Sequence, residues 1–179
     1  VTHGDYIMNL ILIGNIVALA GAAVMVASGF IKNRKNVLIA QCGQFAIMGV
    51  SNLILGGVTG MISNVVSILR NIICLKREFT IPLKIFFIAI QLILSARVNT
   101  MGLIGWFPII AACVFTWFLD TKSDLFLKFI IIVTMLPWCV YDFVLYNYVS
   151  FAFDVFTIIS NTIGIIMLLR DRWGAKKEG

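Results

Sequence analysis

Seven apolar stretches, separated by short polar or glycine-rich breaks, run the length of the chain: Tyr6–Phe30, Val37–Val58, Thr59–Leu75, Thr80–Ser95, Thr100–Leu119, Leu125–Val144 and Tyr148–Leu169. Crossing a bilayer as a helix takes about 20 apolar residues, so each stretch predicts a transmembrane helix. The second and third run together, and only Gly56-Gly57, followed by Gly60, marks a turn between them. Glycine is also common inside membrane helices. The fourth is short and carries a helix-breaking Pro82 near its start, which leaves its bounds the loosest.

Composition agrees with this pattern. Apolar residues make up 61% of the 179 and charged ones 12%, with a mean hydropathy of +1.03. A soluble domain has about 45–50% apolar and about 25% charged residues, so the chain reads as an integral membrane protein embedded in the lipid bilayer. The net charge of +6 does not point to nucleic acid, because the lysines and arginines sit at the ends of apolar segments rather than in a basic stripe. With the N-terminus outside, one side of the membrane collects Lys32, Arg34, Lys35, Lys76, Arg77, Lys122, Arg170, Arg172, Lys176 and Lys177; the other receives only Arg97. That is a strong positive-inside bias, and adding or dropping one helix would scramble it. It predicts an N-terminus out and a C-terminus in. No basic residue precedes the first apolar run, so no cleavable signal is expected. Cys42, Cys74, Cys113 and Cys139 lie inside apolar runs without CxxC spacing and read as small apolar side chains. His3 is the one histidine and lies in a tail. No spacing suits a metal site, a nucleophile–base pair or a phosphate-binding loop, so neither a cofactor nor an enzymatic activity is expected.

The chain also repeats. Sliding Ser51–Asn71 by 90 residues onto Tyr141–Asn161 pairs Asn52 with Asp142, Leu55 with Leu145, Asn64 with Asp154, Ser67 with Thr157, Ile68 with Ile158 and Asn71 with Asn161. Polar residues fall on polar ones inside apolar helices, where they are costly. A similar match at a shift of 88 sets Phe30–Arg34 against Phe118–Lys122. Helices 1–3 (residues 6–75) and 5–7 (residues 100–169) then form two units joined by a linker helix (residues 80–95) in a single membrane domain. The linker restores the direction of the chain, leaving the units parallel and related by an axis along the membrane normal. That is a transporter architecture, with the substrate site between the halves.

Several polar residues are candidates for that site. Asn71 and Asn161 lie towards the cytoplasmic ends of helices 3 and 7, where an amide offers donors and an acceptor to a neutral polar solute. The same amides would also serve as glue between helices. Asn64 and Asp154 stand seven residues, two helical turns, before them, on the same face and about 10 Å away. With Ser67 and Thr157 they make a polar stripe fit to line a passage. Asp154 near the outer interface would simply be solvated; buried, it would open the way to proton coupling. Arg70 would meet an anionic group or, as the more economical reading, snorkel to the cytoplasmic interface. Asp142 reads as interfacial, and Glu78, Lys84 and Lys128 as solvated near the cytoplasmic boundary. Trp106, Trp117, Tyr146 and Tyr148 match the aromatic belt. Trp138, well inside its helix behind Pro137, is either pocket wall or core; the proline would free a carbonyl and form a hinge. The run Gly14, Ala18, Gly21, Ala22, with Ala27 and Gly29 beyond, reads as close helix contact.

A 3+1+3 parallel repeat with these residues resembles the superfamily of SWEET sugar transporters, PQ-loop proteins and PnuC vitamin transporters. Within it, Gly49–Leu75, Gly105–Leu119 and Pro137–Ile166 resemble the YgjV family of small bacterial inner-membrane proteins, which implies a multi-pass protein of the bacterial cytoplasmic membrane. SWEET-type sites pair one asparagine from the third helix of each unit, which matches Asn71 and Asn161, with aromatic walls from the second helices, which match Trp138. The partner of Trp138 in the first unit is Met48, so the clamp is one-sided. The proline hinges are also halved: Pro108 and Pro137 lie in the second unit, against Ala20 and Ile47 near the equivalent positions of the first, and Pro137-Trp138 replaces the Pro-Gln pair. The resemblance implies a facilitator or proton-linked carrier for a small polar solute such as a vitamin, nucleoside or sugar. The alternative is a non-transporting receptor or assembly protein on the same fold. A continuous cavity between the halves favours the first, a dry filled core the second. The sequence leaves the oligomeric state open.

Overall fold

The structure, a computed structural model, describes residues 3–28 and 34–175. The expectations resting on residues 29–33 and 176–179, including the 88-residue match and Lys32, Lys176 and Lys177, lie outside them. The described residues form seven α-helices: α1 (His3–Ser28), α2 (Arg34–Ile54), α3 (Val58–Cys74), α4 (Ile81–Val98), α5 (Phe107–Phe118), α6 (Asp124–Val144) and α7 (Tyr148–Ala175). Four contain segments long and apolar enough to cross a membrane: Gly4–Val24, Ile81–Val98, Leu125–Val144 and Tyr148–Arg170. The apolar segments Leu38–Ile54, Val58–Cys74 and Ile104–Phe118 are shorter.

Local chemistry sets the helix ends. Pro82 occupies the first turn of α4, where its missing N–H costs nothing, and the helix continues past the expected Ser95 to Val98. The Ser123 hydroxyl accepts the Phe126 N–H at 3.3 Å and caps α6. The fifth helix starts later than its hydropathy suggests. Residues 100–103 form an irregular segment braced by Asn99, which accepts the Met101 N–H and donates to the Gly102 carbonyl, and a single 3₁₀ turn (Ile104–Trp106) precedes α5. Pro108 therefore sits in the first turn of α5. It presets φ at a helix start and is not a mid-helix hinge. Pro137 does lie inside α6.

The α2–α3 and α6–α7 connections are the same turn. Around the first, Leu55 N–H donates to Ser51 O (3.0 Å), Gly56 to Leu53 (3.1 Å), Gly57 to Asn52 (2.7 Å) and Met61 to Gly57 (3.0 Å). Ninety residues on, Leu145 donates to Tyr141 (3.0 Å), Tyr146 to Phe143 (3.2 Å), Asn147 to Asp142 (2.9 Å) and Phe151 to Asn147 (3.0 Å). This is a Schellman cap, whose C′ residue takes a left-handed backbone. That residue is Gly56 (φ 80°) in one turn and Tyr146 (φ 59°) in the other.

The helices close into a ring. α1 packs on α2, α2 on α3, α3 on α5, α5 on α6, α6 on α7 and α7 on α1, while α4 lies outside against α3 and α5. Glycine lets α1 approach α2: a Cβ at Gly14 would stand 2.6 Å from the Leu55 side chain, and the Gly14 carbonyl accepts the Ser51 hydroxyl at 2.8 Å. Large apolar residues such as Leu12, Leu53, Ile93, Phe143 and Ile163 cover the outside of the ring and are exposed. A surface of that kind belongs in hydrocarbon.

Candidate functional site

The ring encloses a cavity of about 280 Å³, walled by α2 and α3 on one side and α5, α6 and α7 on the other. Of the residues singled out from sequence, Met48, Asn64, Ser67, Arg70, Trp138, Asp154, Thr157 and Asn161 line it. Pro108, Pro137 and Asn71 do not.

Asn71 is fully buried behind two side chains that do reach the cavity. Its Nδ2 donates to Gln41 Oε1 at 3.1 Å, and its Oδ1 accepts from Arg70 Nη2 at 3.3 Å. It orients the wall rather than forming it. Asn161, its counterpart, lies in the wall and donates its Nδ2 to the Thr157 carbonyl one turn back. The amide pair is therefore not symmetric.

Arg70 takes the place Asn71 was expected to fill. It does not snorkel to the interface: only 2% of it is exposed. Its Nη1 donates to Thr116 Oγ1 of α5 at 3.0 Å, and the guanidinium lies 5.4 Å from the centre of the Phe115 ring. These partners hold a cation inside the bundle that hydropathy alone would send to the surface. Its buried Nε has no hydrogen-bond partner.

Asp142 is likewise not interfacial. It is 3% exposed, lines the cavity, and accepts from Asn147 Nδ2 at 3.4 Å. Asp154 of α7 stands close enough to interact with it directly. Lys84 is buried instead of solvated, and donates to Asp120 and to the Trp117 carbonyl (3.0 Å). Glu78 is exposed and Lys128 half-buried, its ammonium against Gly164.

The cavity is shut at the end carrying the Gly56 and Tyr146 turns. Tyr141 of α6 is fully buried there, its hydroxyl accepting the Gly60 N–H at 3.0 Å and lying 3.3 Å from Thr59 Oγ1. A Cβ on Gly57 would stand 2.5 Å from both Tyr141 and Leu145. Asn52, Asn64, Thr134, Asp142 and Ser150 near this end are buried. Gln41, Gln44, Phe45, Ile131 and Asn161, at the opposite, basic end, are half-buried, and the cavity opens towards them.

Residues 12–172, almost the whole chain, match a family described as a bacterial inner membrane protein family, Imp-YgjV. The chain belongs to the Imp-YgjV family. No curated protein and no solved structure matches it. Membership places the chain in the bacterial inner membrane, in keeping with the apolar outer face of the ring and its membrane-long helices.

Imp-YgjV membership says nothing about chemistry, so the wall must be read directly. Its polar groups are amides, hydroxyls, one guanidinium and two carboxylates, and among the described residues no cluster of three or more His, Cys, Asp or Glu side chains suits a metal. Sequence reasoning missed Gln41, Gln44, Thr116 and Thr134. Each is a polar residue inside an apolar stretch, a signal present in the sequence; its direction depends on the rotation of its helix, which only packing sets. Tyr141 was missed as well, because its partners Thr59 and Gly60 lie more than 80 residues away in the sequence.

Proposed function

We propose that the chain is a carrier for a small polar solute, and that its α1–α3 and α5–α7 halves are parallel repeats rocking about the cavity between them. All seven helices span the membrane in this reading, with the N-terminus out, the C-terminus in and α4 as linker, in the manner of the SWEET and PnuC superfamily. The observation that carries it is a reachable cavity lined by α2, α3, α5, α6 and α7, whose largely apolar wall is studded with polar groups from both halves. A dry, filled core is the mark of the non-transporting alternative, and the cavity favours the carrier over it. The turn duplicated at a 90-residue spacing supports two units of common design. The Tyr141–Gly60 closure at one end and the half-buried opening at the other suit a conformation facing the basic side. Pro137 of α6, beside Trp138 in the wall, is the hinge of this scheme. No catalytic step is proposed.

The test is uptake of labelled amines, nucleosides, vitamins and sugars into proteoliposomes holding the purified chain, beside the Trp138→Ala variant. Saturable uptake that drops at least tenfold in the variant supports the carrier. Absence of flux and of ligand-dependent thermal stabilisation for every solute would leave the non-transporting reading in possession.

A further inference from the structure

The closed half of the cavity differs chemically from its open half, and the difference names a ligand group. We infer that this half is a subsite for a protonated amine, held between Asp142, Asp154 and Asn52; the inference rests on the cavity taking a solute at all.

Three oxygen-bearing side chains line it, and two of them, Asp142 and Asp154, hydrogen-bond each other. Asp142 and Asp154 are neighbours in the wall, and Asn52, at the position 90 residues before Asp142, faces the same space. Their hydrogen bonding is incomplete. Asp154 Oδ2 and Asn52 Oδ1 are buried atoms with no partner, and Asn52 as a whole is only 3% exposed. A buried acceptor left unpaired bears its full desolvation penalty, so these positions call for a donor from outside the chain. Arg70 does not supply it. Among the described residues no ion pair joins it to either carboxylate, and its terminal nitrogens donate to Thr116 and Asn71 instead. Along α3 it stands six residues beyond Asn64, about 9 Å nearer the open end.

A protonated primary amine fits this vacancy better than the alternatives. Its three N–H donors answer three acceptors, and its charge answers the carboxylates. A bare metal ion needs oxygen ligands on all sides, whereas Trp138, Met48 and Phe153 also face the space. At about 280 Å³ the cavity holds far more than one ion or one water, whose share of liquid volume is about 30 Å³. Trp138 adds an aromatic wall that attracts organic cations. A quaternary ammonium, which has no N–H, leaves the two orphaned oxygens unpaired.

The test uses the full chain in nanodiscs and reads its melting temperature and calorimetric binding with four probes. These are 1,5-diaminopentane, its fully N-methylated quaternary analogue, 1,5-pentanediol, and sodium or magnesium chloride alone. The inference expects the diamine to stabilise the protein, the diol and the quaternary analogue to bind at least tenfold more weakly, and Asp154→Asn to weaken the diamine at least tenfold. Equal binding of diol and diamine overturns the amine subsite and leaves the carrier reading intact. A shift from either salt that the diamine does not enlarge also overturns it, in favour of an inorganic cation. Silence from every probe, combined with no flux of any solute, removes both readings. Should Asp154→Asn fail to fold, the four probes on the unaltered chain decide the matter alone.

Discussion

The hairpins α2–α3 and α6–α7 share a backbone and differ in what they place on it. Both turn through the same Schellman cap, at Gly56 and Tyr146. In the first, Asn52 and Asn64 face the cavity as amides; in the second, Asp142 and Asp154 face it as carboxylates. The first carries the buried Arg70, where the matching position in the second is the exposed Ser160. Their anchoring differs too. The first turn is locked by Tyr141 reaching across from α6. The second is tied to α1 by Asn15, which donates to the Tyr146 carbonyl (2.8 Å) and accepts the Val149 N–H (3.0 Å). Two hairpins built on one turn thus hold unlike chemistry, and the cavity is polarised along its length as a result.

The strongest way to break this comparison is to remove the lock that joins the two hairpins. Tyr141→Ala deletes a fully buried aromatic side chain and should destabilise the protein by about 3–5 kcal/mol, read as a large fall in melting temperature. A milder fall, with Tyr141→Phe indistinguishable from it, would mean the hydroxyl and not the ring holds the end shut.

Next in size is the unequal asparagine pair. Asn71→Ala removes two buried hydrogen bonds and frees Gln41 and Arg70, at a cost of about 1–3 kcal/mol. Asn161→Ala loses one bond to its own helix and should leave the melting temperature nearly unchanged while weakening solute binding. Equal effects of both on stability would restore the symmetric reading. Thr116→Val, which removes an acceptor from a buried guanidinium, should cost about 1.5–3 kcal/mol.

The smallest effect sharpens the turn. Gly56→Ala forces a Cβ into a left-handed backbone and should cost about 1 kcal/mol, whereas Tyr146→Gly relieves the same strain at an exposed position and should gain less than about 1 kcal/mol. Opposite signs in thermal unfolding check that the two turns share one geometry.

Much of the fold was legible because hydropathy and spacing are one-dimensional. Seven apolar stretches became seven helices, and Gly56 was rightly read as a turn. The start of α5 was not, since the apolar Met101–Gly105 stretch is as hydrophobic as a helix and only Asn99 bonding back to it shows the loop. The site was half legible. Polar residues paired by the 90-residue shift mostly reached the cavity, because a buried amide or carboxylate in a membrane helix needs a reason to be there. Asn71 and Arg70 traded roles because they are neighbours on one helix, and which of them fronts the void depends on Gln41 and Thr116, 30 and 46 residues away. Asp142 and Lys84 were assigned to solvent by their distance from helix ends, a measure blind to what packs beside them.

The outlying helix α4 has a mechanical consequence. Near the closed end its Gln91 donates to Ser63 of α3 at 2.7 Å; near the basic end its Lys84 grips the last turn of α5 through the Trp117 carbonyl and Asp120. It is therefore bolted to the end of α5 near its first turn and to α3 seven residues further on, like the diagonal strut of a frame. Sliding of α3 past α5 must strain that strut or slip one of its bolts, so a helix that lines no part of the cavity adds to the stiffness of the ring around it.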